Sequence, residues 1–130
     1  MGKGSFTFQT EKFTGGIVTK VPSSSGFVNE YDVAINCSPG NAAIIYNMPK
    51  NSSGNFPIYD GATIISTNKT WLTVVFQPNT PFYNPSIGLP VSSTGTITKT
   101  GANSFTFTCQ VYYLSNPSQK YTVTGQGSYQ

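Results

Sequence analysis

Histidine and arginine are both absent from this chain of 130 residues. Without histidine, the chain cannot form a Ser-His-Asp or Cys-His catalytic centre, nor a metal site that needs an imidazole ligand. No run approaches the roughly 20 apolar residues of a membrane-spanning helix, so we expect no transmembrane segment. Carboxylates are also scarce, with four in the whole chain: Glu11, Glu30, Asp32 and Asp60.

The chain carries little charge of either sign. Charged residues make up 8% of it, against about 25% in an average soluble protein. The mean hydropathy of −0.18 shows that neutral Ser, Thr, Asn, Gln and Gly supply the polarity instead. Such a composition is typical of extracellular β-proteins, so we expect an exported protein at the cell surface, in the periplasm or outside the cell.

All the basic residues are lysines, and they are scattered rather than clustered. Nucleic-acid binding usually needs clustered Lys and Arg, with Arg making the bidentate contacts to phosphate and guanine. We therefore interpret the lysines as solubilising surface charges and expect no nucleic-acid partner. They stand at positions 3, 12, 20, 50, 69, 99 and 120.

Alternation of apolar and polar residues with period two dominates the chain and predicts half-buried strands. No window shows a sustained helical period. We therefore predict an all-β, antiparallel fold of 8–10 short strands with almost no helix, a β-sandwich of jelly-roll or Greek-key type. The predicted strands cover 5–9, 16–21, 27–37, 42–46, 62–66, 71–77, 95–100, 104–114 and 120–124.

The segment 77–90 contains four prolines, which cannot donate to a strand ladder. We interpret it as a long crossover loop, which favours a Greek-key topology over a simple meander. The length fits one domain, predicted at 5–130. Residues 1–4 look like the remnant of a leader or of cloning, and the sequence leaves open whether the native chain extends before Met1.

The two cysteines, Cys37 and Cys109, both fall on the apolar face of their predicted strands. They are candidates for a disulfide across the sandwich, which would require an oxidising compartment. The alternative is two free, buried and inert thiols. The sequence leaves both interpretations open.

Glu30 and Asp32 lie two residues apart on one predicted strand face, so their carboxyls would be about 7 Å apart. Paired carboxylates near that distance serve glycoside hydrolysis. We favour two solvated charges instead, and predict no catalytic residue, no metal, no cofactor and no enzymatic activity. Asp60 is expected to accept a hydrogen bond from its own backbone in a turn at 59–62.

Aromatic residues make up 14% of the chain, and most Phe positions are predicted to be core. Trp71, Phe82 and Tyr83 are the best candidates for stacking on a sugar ring, because loops beside a rigid sheet often carry binding residues. The alternative is ordinary packing. Candidates for exposure are Tyr46, Tyr59, Trp71, Phe82, Tyr83, Tyr112 and Tyr129.

Three late segments carry a pattern of their own: Thr-Gly-Thr-Ile-Thr at 94–98, Phe-Thr-Phe-Thr at 105–108 and Val-Thr-Gly at 123–125. With the Asn-Phe-Pro-Ile step at 55–58, they resemble small secreted lipoproteins of the Bacteroidota whose activity is not assigned. In that pattern a Gly stands at the position of Ser104. The resemblance implies an exported β-sandwich, tethered by a lipid at its native N-terminus.

We therefore interpret the chain as a non-enzymatic, exported surface or accessory domain that binds a protein or glycan partner. The alternative is a carbohydrate-binding module that uses its exposed aromatic residues.

Overall fold

The computed structural model describes residues 2–23, 30–38, 40–50, 53–63 and 69–129. In these ranges the chain forms nine strands, and every pair of neighbours is antiparallel. The described residues hold no helix that could cross a membrane. The strands are β1 (Gly2–Phe8), β2 (Glu11–Pro22), β3 (Glu30–Cys37), β4 (Asn41–Pro49), β5 (Gly54–Ile58), β6 (Trp71–Val75), β7 (Val91–Gly101), β8 (Ser104–Tyr112) and β9 (Tyr121–Ser128).

The strands follow the alternation in the sequence, and the prediction of an antiparallel all-β chain is confirmed. Along β8, for example, Phe105, Phe107 and Cys109 are buried, whereas Thr106 and Thr108 between them are exposed. Apolar side chains of successive strands thus meet in one core. Burial of a Phe or Val side chain contributes about 1.5–3 kcal/mol, which makes this core the main source of stability.

The structure differs from the predicted strands in several places. The strand expected at 62–66 begins in a turn at 61–63, and its remaining residues lie outside the described ranges. β5 was not predicted as a strand, and its first residues, Gly54 and Asn55, are of types that usually mark turns. It forms along an edge of β7, where a proline is tolerated. Residues 2–4, expected to precede the domain, pair with β2 as the beginning of β1.

The sheet closes on itself, so the predicted two-layer sandwich or jelly roll is not what the structure shows. The order is β5-β7-β6-β4-β3-β2-β1-β9-β8, and β8 also pairs with β7. Eight strands therefore form a closed barrel, and β5 is a ninth strand that pairs with β7 and contributes Ile58 to the core. Closure depends on the pairing of β1 with β9, strands from the two ends of the chain.

The proline-rich segment 77–90 is a loop, as predicted, but it is not a crossover. It joins β6 to β7, which are neighbours in the barrel. Around the barrel, the strands thus stand in the order in which they occur in the sequence. The exception is β5, which pairs with β7. The loop is long because it covers one end of the barrel, where the Phe82 ring packs against Phe8 and Phe76.

Side chains help to close the barrel between β6 and β7, because these two strands share a single backbone pair, Thr73 with Val91. The fully buried Ser92 hydroxyl accepts the Leu72 N–H at 3.0 Å and donates to the Tyr59 carbonyl at 2.7 Å. The Thr73 hydroxyl donates to the Pro90 carbonyl at 2.7 Å. We call this line of contacts the seam.

Cys37 and Cys109 are free thiols, and both are buried. The candidate disulfide is therefore absent from the structure, which shows the second of the two alternatives. They lie on β3 and β8, strands that are not neighbours in the sheet. Burial raises the pKa of the Cys37 thiol, and it raises the pKa of Cys109 to about 12. Both groups are protonated and unreactive at neutral pH.

Candidate functional site

A groove of about 810 Å³ crosses the outer face of β2, β1, β9 and β8. Its floor contains the backbone of Gly4, Gly16 and Gly127. Of the described residues that line it, Lys3 alone is charged. Ile17 and Phe105 are apolar, and the other side chains carry a hydroxyl or an amide: Ser5, Thr14, Thr100, Ser104, Thr106, Gln126 and Ser128. We call this surface the glycine groove.

The groove exists because glycines face the core where other barrel positions carry side chains. A Cβ on Gly127 would lie 2.8 Å from the Phe105 ring, and one on Gly16 would lie 2.9 Å from Cys37 Sγ. Gly125 is similar, because its Cβ would lie 2.4 Å from the facing Phe107. The backbone therefore lies directly on the core at these points, and the outer surface is recessed there.

A β-bulge opens one side of the groove. The register of β1 and β2 shifts between Gly4 and Phe6, which leaves Thr14 and Gly15 opposite Ser5. Gly15 has a φ of 69°, a left-handed conformation that favours glycine. Bulges bend a strand and redirect its side chains, which here presents Thr14 to the groove.

The polar surface continues beyond the groove into a recess of about 240 Å³ that shares Ser5, Thr106 and Gln126 with it. There the Thr7 and Thr124 hydroxyls are paired at 2.6 Å across β1 and β9. The combined surface offers neutral hydrogen-bond donors and acceptors. The sequence interpretation missed it, because glycines on the inward phase of β1, β2 and β9 indicate a groove only once these strands are known to be neighbours.

The barrel end beside the groove holds a buried lysine, so the interpretation of all lysines as surface charges is wrong for Lys99. Lys99 is 1% exposed, because it shares the inward phase of β7 with Ile97. Its ammonium donates to Tyr129 Oη at 3.0 Å, to the Pro49 carbonyl at 3.1 Å and to Tyr31 Oη at 3.2 Å. All three acceptors are uncharged.

The two tyrosines around Lys99 are hydrogen-bonded to each other and cross nearly at right angles. Tyr129, expected to be exposed, is buried. Burial, and then its bond to Tyr31, raise the pKa of the Tyr129 phenol. Lys20 Nζ lies over both rings, 4.6 Å from the centre of Tyr129. We call Lys20, Tyr31, Lys99 and Tyr129 the lysine end. The Lys99 ammonium and the two tyrosine hydroxyls are hydrogen-bonded to one another, which indicates a structural role.

Of the three predicted sugar-stacking residues, the structure separates Trp71 from the other two. Trp71 stacks on Tyr46 at 4.1 Å between ring centres. It lies on the outer phase of β6, opposite to that of the buried Leu72, and a Cβ on Gly61 would meet its ring. The pair is half-buried, so the structure leaves less of the indole surface open than the sequence suggested.

Phe82 and Tyr83 instead line a second, smaller cavity of about 230 Å³ in the loop that covers the other barrel end. Its remaining walls come from Phe76, Asn84, Pro85, Gly88 and Leu89. Phe82 is packed against the core, and Tyr83 is exposed at the rim. We call this cavity the loop pocket.

The carboxylates of Asp60 and Asp32 bind protein groups. The Asp60 carboxylate accepts the Ala62 N–H at 2.9 Å, as predicted for the turn, and the Tyr112 hydroxyl at 2.7 Å. Asp32 accepts the Asn47 N–H at 3.0 Å. The side chain of Glu30 lies outside the described part, so its pairing with Asp32 stays a prediction. No group of three Cys, Asp or Glu side chains in the described ranges could hold a metal ion.

No protein-family model, curated protein or solved structure is similar to this chain. The geometry of the groove, the lysine end and the loop pocket is therefore the basis for any functional interpretation.

Proposed function

We propose that this chain is a non-catalytic binding domain whose glycine groove holds a segment of a neutral, hydroxyl-rich ligand, a glycan chain. The observation that carries the proposal is the groove itself. It is long enough to cross four strands, and most of its side chains are hydroxyls or amides. Such groups exchange hydrogen bonds with sugar hydroxyls in both directions.

The charge of the groove supports a neutral ligand over an ionic one. Lys3 is the single charged group among its described lining residues, and no described carboxylate lines it. An anionic polymer would be expected to meet several cations, because phosphate-type ligands are bound by clustered Lys and Arg. Recognition here depends on hydrogen bonds to side chains and close approach to glycine backbone.

Export and a lipid tether are also part of the proposal. They are supported by the low charge of the sequence and by the resemblance of its late segments to secreted lipoproteins. Fractionation of cells expressing the natural gene tests this part, and recovery of the protein in the cytosol would contradict it.

The glycan proposal is tested by native gels that contain a panel of soluble neutral polysaccharides. Retardation by at least one is expected. Gln126→Ala and Thr106→Ala remove groove hydrogen bonds, each with a net value of about 0.5–1.5 kcal/mol. The double variant should bind roughly tenfold more weakly.

Matched controls are available on the same outer surface. Gln110→Ala and Thr96→Ala change exposed residues of the same types on β8 and β7, outside the groove. Their double variant should bind like the unmodified chain. Equal loss in both double variants, or no retardation by any glycan, would contradict binding in the groove.

Trp71 provides the test of the alternative, a carbohydrate-binding module with an aromatic platform. Its stacked position on the outer face of β6 is the observation that favours this site. Retardation lost in Trp71→Ala but kept in the groove double variant would move the site to Trp71. Unchanged thermal unfolding of Trp71→Ala would show that the loss comes from binding.

A further inference from the structure

The loop pocket has walls that are held in place without a ligand. The Phe82 ring lies 4.8 Å from Phe8 and 5.3 Å from Phe76, centre to centre. The backbone beyond it is tied by turns, with the Tyr83 N–H on the Thr80 carbonyl and the Ile87 N–H on the Asn84 carbonyl. Prolines at 78, 81, 85 and 90 further restrict the loop. A preformed cavity of this kind binds without a large ordering cost.

The size of the pocket indicates a single ring. Its volume of about 230 Å³ is below the roughly 300–1,000 Å³ of cavities that enclose whole small molecules. Its lining is aromatic, with Phe76, Phe82 and Tyr83. Aromatic walls favour a ring in stacked or edge-to-face contact.

The polarity of the pocket favours an apolar ring over a sugar. Apart from the Tyr83 hydroxyl, Asn84 carries the one polar side chain of its described lining. The side-chain oxygen of Asn84, Oδ1, already accepts the Ser86 hydroxyl at 2.6 Å and the Ser86 N–H at 3.1 Å. A sugar would bury hydroxyls here with few partners, which costs free energy.

The rim indicates that the ligand extends beyond the pocket. Tyr83 is 41% exposed and Leu89 is 46% exposed, and both line the cavity. Exposed apolar groups around a cavity are a feature of interaction surfaces. A ring with a chain attached would cover this rim, whereas an isolated ring would leave it in water.

We propose that the loop pocket binds the uncharged aromatic side chain of a partner polypeptide. This site is separate from the glycine groove and does not depend on a glycan ligand. The aromatic ring fills the pocket beside Phe76 and Phe82, and the flanking peptide lies on Tyr83 and Leu89. Aromatic anchors in well-packed pockets commonly dominate the affinity of protein interfaces.

The test titrates the full chain with short capped peptides, Gly-Phe-Gly, Gly-Trp-Gly and Gly-Leu-Gly, and with free toluene. Binding is followed by amide chemical shifts in ¹H–¹⁵N NMR spectra. We expect the aromatic peptides to shift residues 76–89 at lower concentration than Gly-Leu-Gly does. They should also bind more tightly than toluene, since only a peptide covers the rim.

Two pairs of variants locate the site. Tyr83→Ala should weaken binding of the aromatic peptide about fivefold or more. Tyr59→Ala, a tyrosine of similar exposure (38%) that does not line the pocket, should not. Leu89→Asp should also weaken binding, whereas Leu114→Asp, at 59% exposure, should not.

Several results would overturn the proposal. Toluene binding without peptide binding would show a cavity for free rings only. Equal affinity for the leucine and aromatic peptides would show a nonspecific apolar surface. Shifts confined to residues outside 76–89, or no shifts at all, would show that the pocket is not a peptide site. Because all four substituted residues are exposed, the variants are expected to fold, which their thermal unfolding checks.

Discussion

The two ends of the barrel are closed by different chemistry. At one end the rings of Phe8, Phe76, Phe82 and Tyr121 pack together beneath the loop 77–90, with Phe8 in contact with the other three. We call this the aromatic end. At the lysine end, Lys99 crosses from β7 to the Pro49 carbonyl of β4. At this end, polar groups are buried inside the barrel and are hydrogen-bonded there.

The difference follows from the length of β6. β6 pairs with β4 only from Ala42 to Tyr46, so the last residues of β4 have no ladder partner in β6. Near the aromatic end, the seam is closed by backbone and by Ser92. Toward the lysine end, β6 no longer pairs with β4, and the Lys99 ammonium bonds to the Pro49 carbonyl of β4, beyond the last residue paired with β6. Burial of aromatic rings therefore stabilises the aromatic end, and hydrogen bonds of Lys99 stabilise the lysine end.

The largest expected effect is at the aromatic end. Phe8 is 1% exposed and contacts three other rings, so Phe8→Ala should destabilise the fold by about 3–5 kcal/mol. Guanidinium denaturation measures this. Phe13→Ala, at a partly buried ring on the edge of the same cluster, should cost clearly less. Equal costs would show that the aromatic end is not organised around Phe8.

An intermediate effect is expected for Lys99. Lys99→Met keeps the packing but removes the hydrogen bond to the Pro49 carbonyl, at a cost of about 1–3 kcal/mol. Lys99→Met is the intermediate case, whereas Lys99→Ala adds a cavity and should cost about 2 kcal/mol more, close to the range of Phe8→Ala. The same denaturation experiment gives both values. Equal stability of the two variants would mean that the aliphatic chain of Lys99 contributes little to packing.

The smallest effect concerns alkaline pH at the lysine end. The pKa of Tyr129 is raised in the folded chain above its ordinary value of 10.0, so the unfolded chain ionises first. The stability this provides is complete below about pH 10 and is lost as the pH rises further, at up to about 1.4 kcal/mol per pH unit. Tyr129→Phe should make that loss shallower.

The pH experiment measures unfolding free energies between pH 8 and 11.5 for Tyr129→Phe and for the exposed control Tyr59→Phe. Cys109, whose pKa is raised to about 12 from 9.0, adds to the loss in every variant from about pH 9 upward. The comparison therefore uses the difference between the two variants. Parallel curves would show that the lysine end does not contribute to the alkaline loss.

Local pattern was sufficient for the strands themselves. The period-two alternation of 104–114 predicted β8 and its buried residues, and that of 27–37 predicted β3. The turn at Asp60 also follows from a local preference, since Asp bonds to the backbone two residues on. These features involve neighbours in sequence, whose geometry depends little on the rest of the fold.

The candidate sites could be predicted less well. Phe82 and Tyr83 were identified as binding candidates and do line a cavity, but Trp71 lies apart from them. The glycine groove was missed, because Gly4, Gly16 and Gly127 are recognisable as a floor only when β1, β2 and β9 are neighbours. Considered alone, each glycine indicates only a position at which a strand is weakened.

By itself, the sequence determined that this protein is an antiparallel β-structure with a core of alternating apolar residues and few ionisable groups. The tertiary structure decided that the sheet is a closed barrel, that Lys99 is inside it and that the groove is outside. The physical reason is the range of the interactions. Alternation acts between adjacent residues, whereas closure depends on pairs such as Phe8 with Val123, which meet only when both chain ends have folded.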